Sequence, residues 1–256
     1  GSAHASLSLA GRLGAPEITG KLDGNKLQVR NPLQGIELRD GELAVSLNGP
    51  SAHIERLEAR GSAGKVTVTG DAKFGEAPRL NLALKAENFA ALSRVDRRIV
   101  VSGTTELNID PQLLKLVGQL KVDEGMIDFS RSDAPKLDGD VVVKRPRANV
   151  DDEVPAYKPK PEVRKVSLDV NVDLGKQLRI KGYGLKTDLR GELKLTSPAN
   201  QLAVSGTVRA VSGSYIAYGQ DLVIDKGEII FTGAVDNPKL DILALRKVKP
   251  NEEEDQ

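Results

Sequence analysis

Apolar residues recur at every second position through most of the chain, and this alternation constrains the fold more than any other feature. It runs through Leu43-Ala-Val45-Ser-Leu47, Leu80-Asn-Leu82-Ala-Leu84, Val166-Ser-Leu168-Asp-Val170-Asn-Val172, Leu193-Lys-Leu195 and Leu202-Ala-Val204. Successive side chains of a strand point to opposite faces, so period two means a strand with one dry and one wet face. The 25 glycines punctuate these stretches, often after Asp, as in Asp23-Gly24, Asp40-Gly41 and Asp138-Gly139, and supply the positive φ that tight turns require. The fold class read from this pattern is all-β. Helical spacing is scarce: Asn88–Val100, with Asn88 capping Phe89-Ala-Ala-Leu92, and more weakly Pro111–Leu116, are the predicted short helices.

One unit recurs loosely: Ile36-Glu-Leu38-Arg-Asp40-Gly41-Glu-Leu43, Leu120-Lys-Val122-Asp-Glu-Gly125-Met-Ile127 and Leu222-Val-Ile224-Asp225-Lys-Gly227-Glu-Ile229. Each reads as strand, acidic hairpin turn ending in Gly, strand. Reuse of such a unit favours an extended sheet over a compact barrel, with about sixteen to eighteen strands stacked over roughly 80 Å. Between the second and third copies, Lys144–Arg164 holds Pro146, Pro155, Pro159 and Pro161 among mixed charges, which is incompatible with a central strand. The expected organisation is therefore an N-terminal part of the sheet over 1–143, a loop or linker over 144–164, and a further part over 165–256 continuous with the first. The basic run Lys144-Arg145-Pro146-Arg147 suits anionic lipid, but Asp151-Asp152-Glu153 follows at once, which favours a solvated loop.

The chemistry available is narrow. Lys plus Arg is 37 and Asp plus Glu 36, a balance that argues against nucleic acid as a partner. With no Cys, neither disulfides nor thiolate ligands exist. His4 and His53 are the only imidazoles, too few for a histidine-based metal site, and no catalytic triad, phosphate loop, dinucleotide fingerprint or calcium loop is recognisable. No catalytic residue, metal ligand or cofactor is assigned. Asp221, Asp225, Glu228, Asp236 and Asp241 cluster in sequence and two acids suffice for glycoside hydrolysis, yet Asp221, Glu228 and Asp241 alternate with apolar residues as the wet side of strands would, and Asp225 falls in a turn. Tyr215, Tyr218 and Phe231 would stack on sugar or single-stranded nucleic acid, or pack ordinarily in strands. The longest stretch free of Asp, Glu, Lys and Arg is Leu195–Val208, short of the roughly 20 apolar residues of a membrane helix. Gly1-Ser2 reads as a cloning remnant without a signal peptide after it.

The C-terminal third carries a resemblance. Gly213-Ser-Tyr215-Ile-Ala217-Tyr218-Gly219-Gln220-Asp-Leu222-Val-Ile224-Asp-Lys-Gly227-Glu-Ile229-Ile-Phe231-Thr-Gly233, followed by Asp236-Asn237-Pro238-Lys-Leu240-Asp241-Ile242, closely resembles the conserved C-terminal domain of the TamB family, the inner-membrane component of the translocation and assembly module of Gram-negative bacteria. The likeness extends upstream to about Val166, whereas 1–143 is similar only in style. It implies a curled, elongated sheet of the β-taco kind, β-helix-like in outline, with an apolar groove, as in AsmA-like, bridge-like lipid transfer proteins. It further implies a periplasmic location within a longer protein anchored in the inner membrane, phospholipid transport between the membranes, support of outer-membrane and autotransporter protein assembly, and pairing with a TamA-like outer-membrane barrel of the Omp85 type. Family members carry a membrane anchor and terminal strands for the barrel partner, and neither is recognisable here.

Strand parity selects Leu178, Ile180, Leu193, Leu195, Leu202, Val204, Val208, Leu222, Ile224, Ile229, Phe231, Leu240 and Ile242 for the apolar, lipid-facing side, and Ala203, Ser205, Glu228 and Asp241 for the wet side. With few bulky rings and no helices to cover it, that apolar side must be hidden by curling the sheet. Three readings follow: a groove for phospholipid or another acyl-chain ligand, a β-strand scaffold for unfolded outer-membrane barrel proteins, and a carbohydrate-active or adhesive β-helix, for which aromatic platforms and acid pairs are marginal.

Overall fold

The computed structural model describes residues 1–12, 15–130, 164–217 and 219–246. The linker expected over 144–164 lies outside these apart from Arg164, as do Tyr218 and the Asp138-Gly139 turn. The described chain forms one sheet of fourteen strands, fewer than the count drawn from the alternation, and at about 4.8 Å per strand it extends roughly 60 Å.

Strands β1 (Ser2–Arg12), β2 (Ala15–Asn31), β3 (Ile36–Asn48), β4 (Ser51–Arg60), β5 (Lys65–Lys73), β6 (Arg79–Ser93), β7 (Arg97–Ile109) and β8 (Leu113–Asp128) follow one another as an antiparallel meander. Strands β11 (Leu185–Thr196), β12 (Ala203–Ala217), β13 (Gln220–Gly233) and β14 (Lys239–Arg246) form a second meander. Between them lie β9 (Lys165–Asp173) and β10 (Leu178–Gly182), each parallel to β8 and antiparallel to β11. Together they make one strand interrupted at Leu174–Gln177, whose backbone stays attached through Leu174 N–H to Gly191 O and Gly125 N–H to Gln177 O. A first rim holds the turns after β3, β5, β7, β11 and β13; a second holds those after β2, β4, β6, β10 and the end of β8.

Both expected helices are strands. Asn88–Val100 spans the end of β6, a turn and the start of β7. Its helix-like spacing arises because register shifts fall between Ala86 and Phe89 and between Ala90 and Leu92, so extra residues inserted by bulges put Phe89 and Leu92 three apart. Asn88 has a positive φ, +47°, unlike the extended backbone of a helix N-cap, and its N–H bonds Ser102 Oγ at 2.9 Å. Pro111 lies in the β7–β8 turn, which Asp110 closes by accepting from the N–H groups of Gln112 and Leu113. The sole helical turn among the described residues is a 3-10 turn at Pro198–Asn200.

The three recurring acidic-Gly units are likewise not hairpins. Asp40-Gly41, Asp123-Glu-Gly125 and Asp225-Lys-Gly227 each lie inside one long strand, β3, β8 and β13. Register shifts sit beside them, between Arg39 and Glu42, opposite Val100 and Val101, and between Ile224 and Lys226. A residue with positive φ, such as Asp40 at +51°, followed by Gly satisfies a bulge as readily as a turn. Register shifts recur along most of the sheet, and repeated bulges curl a sheet.

Candidate functional site

Register fixes which side chains share a face, because directly paired residues point the same way. One row runs Leu43, Leu57, Val68, Leu84, Thr105, Gly118, Val170, Leu195, Val204 and Gly233, from β3 to β13. The next runs Ala59, Val66, Ala86, Gly103, Leu120, Val172, Leu193, Gly206 and Phe231. On the opposite face the corresponding row is Glu58, Thr67, Lys85, Thr104, Gln119, Asn171, Lys194, Ser205 and Thr232. One face is thus apolar across ten strands, with Thr105 the one polar side chain in these two rows, and the other is polar.

The apolar face, hereafter the inner face, is the better covered of the two. Among the described residues the sheet has no second layer, yet Val170, Val204 and Val208 are buried, at 3%, 6% and 6% exposure. Alanine serves as a size-matched comparison: Ala52 and Ala59 on this face are buried, whereas Ala83 on the other is exposed. Glycine helps the sheet close: Gly103 and Gly206 face inward with φ of +147° and +127°, a conformation that leaves no room for a Cβ, which would lie 2.1 Å from Gln119 O and 2.2 Å from Glu192 O respectively. Leu174, Leu178 and Val208 form the best-covered cluster, with Ile99, Val172, Leu189, Leu193, Ile229 and Phe231 packed on it. Gly125, paired with both Ile99 and Leu178, leaves the space that lets Leu178 reach across β8.

Of the thirteen residues chosen for the apolar side, Leu178, Val204 and Val208 are buried, and Ile180, Leu193, Leu195, Leu222, Ile224, Ile229 and Phe231 are half-buried. Leu202 precedes β12 at the first rim and is exposed; Leu240 and Ile242 are exposed on the edge strand β14. Register brings Leu195 beside Val204, Val208 beside Ile229, and Ile229 beside Leu240. Leu222 and Ile224 share a parity that Ile229 and Phe231 reach only through the bulge at Ile224/Lys226. The N-terminal half supplies as much of the surface, through residues such as Leu57, Val68, Leu84 and Leu120, which the same alternation marks but which fall outside the stretch of resemblance.

Polar groups lie elsewhere. Asp241 accepts from Lys226 Nζ at 2.5 Å and Glu228 from Arg209 Nε at 2.8 Å, so these acids are ion-paired on the outer face, and Asp221, Asp225 and Asp236 are exposed. His53 Nδ1 lies 2.7 Å from Asp71 Oδ1 on the outer face, both exposed. A cleft of about 660 Å³ also opens outward, between Ser102, Gln119, Asn171, Glu192, Lys194 and Ser205. Among the described residues no group of three His, Cys, Asp or Glu has the arrangement of a metal site, and no helix is long and apolar enough to cross a membrane.

Residues 55–256 match the family described as the TamB C-terminal domain. The chain is also 24% identical, over 99% of its length, to the translocation and assembly module subunit TamB of Haemophilus influenzae. The aligned part is 20% of that relative, so the chain spans about one fifth of the longer protein. Four fifths of the sequence agrees with the family, the curled sheet accords with it, and the chain belongs to the TamB C-terminal domain family.

Proposed function

We propose that the inner face is a trough for the acyl chains of phospholipid, and that the chain is one section of a path for lipid between the inner and outer membranes. The observation that carries this reading is the pair of apolar rows, broken only by Thr105, on the inner face of a sheet that has no second layer among the described residues. Burying a methylene gains about 0.8 kcal/mol, so a chain of a dozen gains roughly 10 kcal/mol before ordering costs. No polar group is needed, and none lies in the two rows beyond Thr105. In the whole protein this section would work in the periplasm, with a TamA-like outer-membrane barrel as partner, and would support outer-membrane protein assembly by supplying lipid.

Photo-crosslinkers at Val204 and Ser205, adjacent positions on opposite faces, test the trough. Lipid captured at Val204 and not at Ser205, together with phospholipid found by mass spectrometry after detergent-free purification, is the expected result. Equal capture at both, or no lipid, removes the reading.

A second reading, a strand scaffold for unfolded outer-membrane barrel proteins, is favoured by β14. Among the described residues one edge of this strand is unpaired, and Leu240, Ile242, Leu243 and Leu245 are all exposed. Ile242 faces inward with Gly227, and Leu243 outward with Lys226, so beyond Asp241 the strand carries apolar side chains on both faces, as suits a strand that acquires a neighbour. Crosslinking from β14 to an unfolded barrel protein, with no lipid at Val204, would favour this reading over the first.

A further inference from the structure

The two rims of the trough differ in how charge is disposed. At the second rim Asp96 receives Arg94 Nε at 3.0 Å and Arg97 Nε at 3.1 Å, and Asp128 receives Lys181 Nζ at 3.0 Å. In these pairs the carboxylate is turned inward and the cation outward: the Asp96 and Asp128 side chains are 6% and 9% exposed, those of Arg97 and Lys181 50% and 44%. Three cations thus stand outside two carboxylates, and the face that they present is positive. Interleaved with these cations are large apolar side chains at successive turns: Leu33 after β2, Val95 after β6, Phe129 after β8 and Tyr183 after β10, with 85%, 80%, 45% and 77% exposure. The turn without one, Gly61–Gly64 after β4, is overreached by its neighbours, because Ser93 N–H bonds Gly35 O and Arg94 bonds Leu33 O across it. The first rim also exposes Phe74, Leu202 and Val235, but no ion pair of this inward-acid kind accompanies them among the described residues.

We infer that the second rim docks on the headgroup layer of an anionic phospholipid bilayer. Apolar tips that enter the interface, a tyrosine at headgroup level and flanking Arg and Lys facing lipid phosphate are the chemistry of a protein that lies on a membrane. The apolar tips alone would suit a protein partner equally; the outward cations over hidden carboxylates choose the anionic bilayer. Docking along this rim would bring the open side of the trough to the bilayer surface, which goes beyond the carriage of lipid within it.

Flotation of the 256-residue chain with vesicles tests this. The chain should float with phosphatidylcholine vesicles containing phosphatidylglycerol, bind pure phosphatidylcholine weakly, and be released by high salt. The double substitution Leu33→Ser with Tyr183→Ser, at two exposed turn tips, should lower the vesicle-bound fraction about tenfold. Phe74→Ser on the first rim should leave it unchanged. Val204→Asp should remove co-purified lipid and keep vesicle docking, whereas the rim variant should do the reverse, so that failure of the trough and failure of the docking surface are told apart. Equal binding to both kinds of vesicle, an equal loss in Phe74→Ser, or no effect of the double substitution would overturn the proposal; so would rim-dependent capture of a protein with no vesicle binding.

Discussion

Lys181 Nζ lies 3.0 Å from Asp128 Oδ2, and this contact ties β10 to the end of β8 where the two meanders join. Hydrogen bonding from Ser130 and then from Lys181 holds the Asp128 carboxyl at about 2, below its ordinary 3.8. A carboxyl depressed on folding stabilises the folded chain above its unfolded value, and that contribution fades as pH falls through the folded one. Asp128→Asn should therefore be less stable than the parent near neutral pH, with the gap closing between about pH 4 and pH 2. Urea unfolding across that range measures it, and a gap that stays constant down to pH 2 would contradict the assignment.

Gly103→Ala and Gly206→Ala should each destabilise by about 1–3 kcal/mol or more, since the new Cβ meets a carbonyl oxygen in a backbone conformation that L-residues avoid. Gly75 shares the unfavourable φ, at +119°, but has nothing within 4 Å, so Gly75→Ala should cost less. Denaturant midpoints of the three variants rank them.

Parity should be visible in stability alone. Val204→Asp places a carboxylate among Leu195, Val170 and their neighbours and should cost several kcal/mol, while Ser205→Asp, one residue along and exposed on the outer face, should stay within about 0.5 kcal/mol. Similar losses at both positions in thermal unfolding would mean that the inner face is not covered as described.

Leu178 pairs with Gly125 and Leu189 and is buried in the best-covered cluster, so Leu178→Ala should cost about 2–5 kcal/mol. Gly125→Ala should also destabilise, because its Cβ would lie 2.4 Å from Leu178 Cδ1. Combining the two should cost less than the sum of the separate losses, since the shortened side chain makes room for the new methyl; an additive result in urea unfolding would argue that Gly125 is needed for its backbone and not for that space.

Strand class and the two faces were legible in the sequence because alternation is a local property, visible within five residues at Leu80–Leu84 or Val166–Val172. Bulges were not. Asp40-Gly41 and Asp225-Lys226-Gly227 carry the same residues whether the chain turns back or merely steps out of register, and the choice depends on how β2 and β14 pair alongside. The same ambiguity produced the false helix at Phe89-Ala-Ala-Leu92, where inserted residues mimic a helical spacing. Of the candidate site, the C-terminal residues could be placed by parity from Leu193 to Phe231, whereas Leu202 was missed as a rim residue because nothing local distinguishes the last residue of a turn from the first of a strand. The position of β9 beside β8 was beyond reach, since Lys165 pairs next to Leu113 through no turn that sequence marks.

That parallel insertion makes the assembly of the sheet uneven in time. In β1–β8 and in β11–β14 every strand pairs with its neighbour in sequence, so each half can zip up through short loop closures. The seam along β8 alone demands that distant segments meet, and such a closure is entropically slow. Until β9 and β10 are seated against β8, the inner faces of both halves stay open to water and the free edge of β8 lacks a partner. The broken strand is therefore a keystone, and the interval before it is set is when this chain is most exposed to pairing with the wrong neighbour.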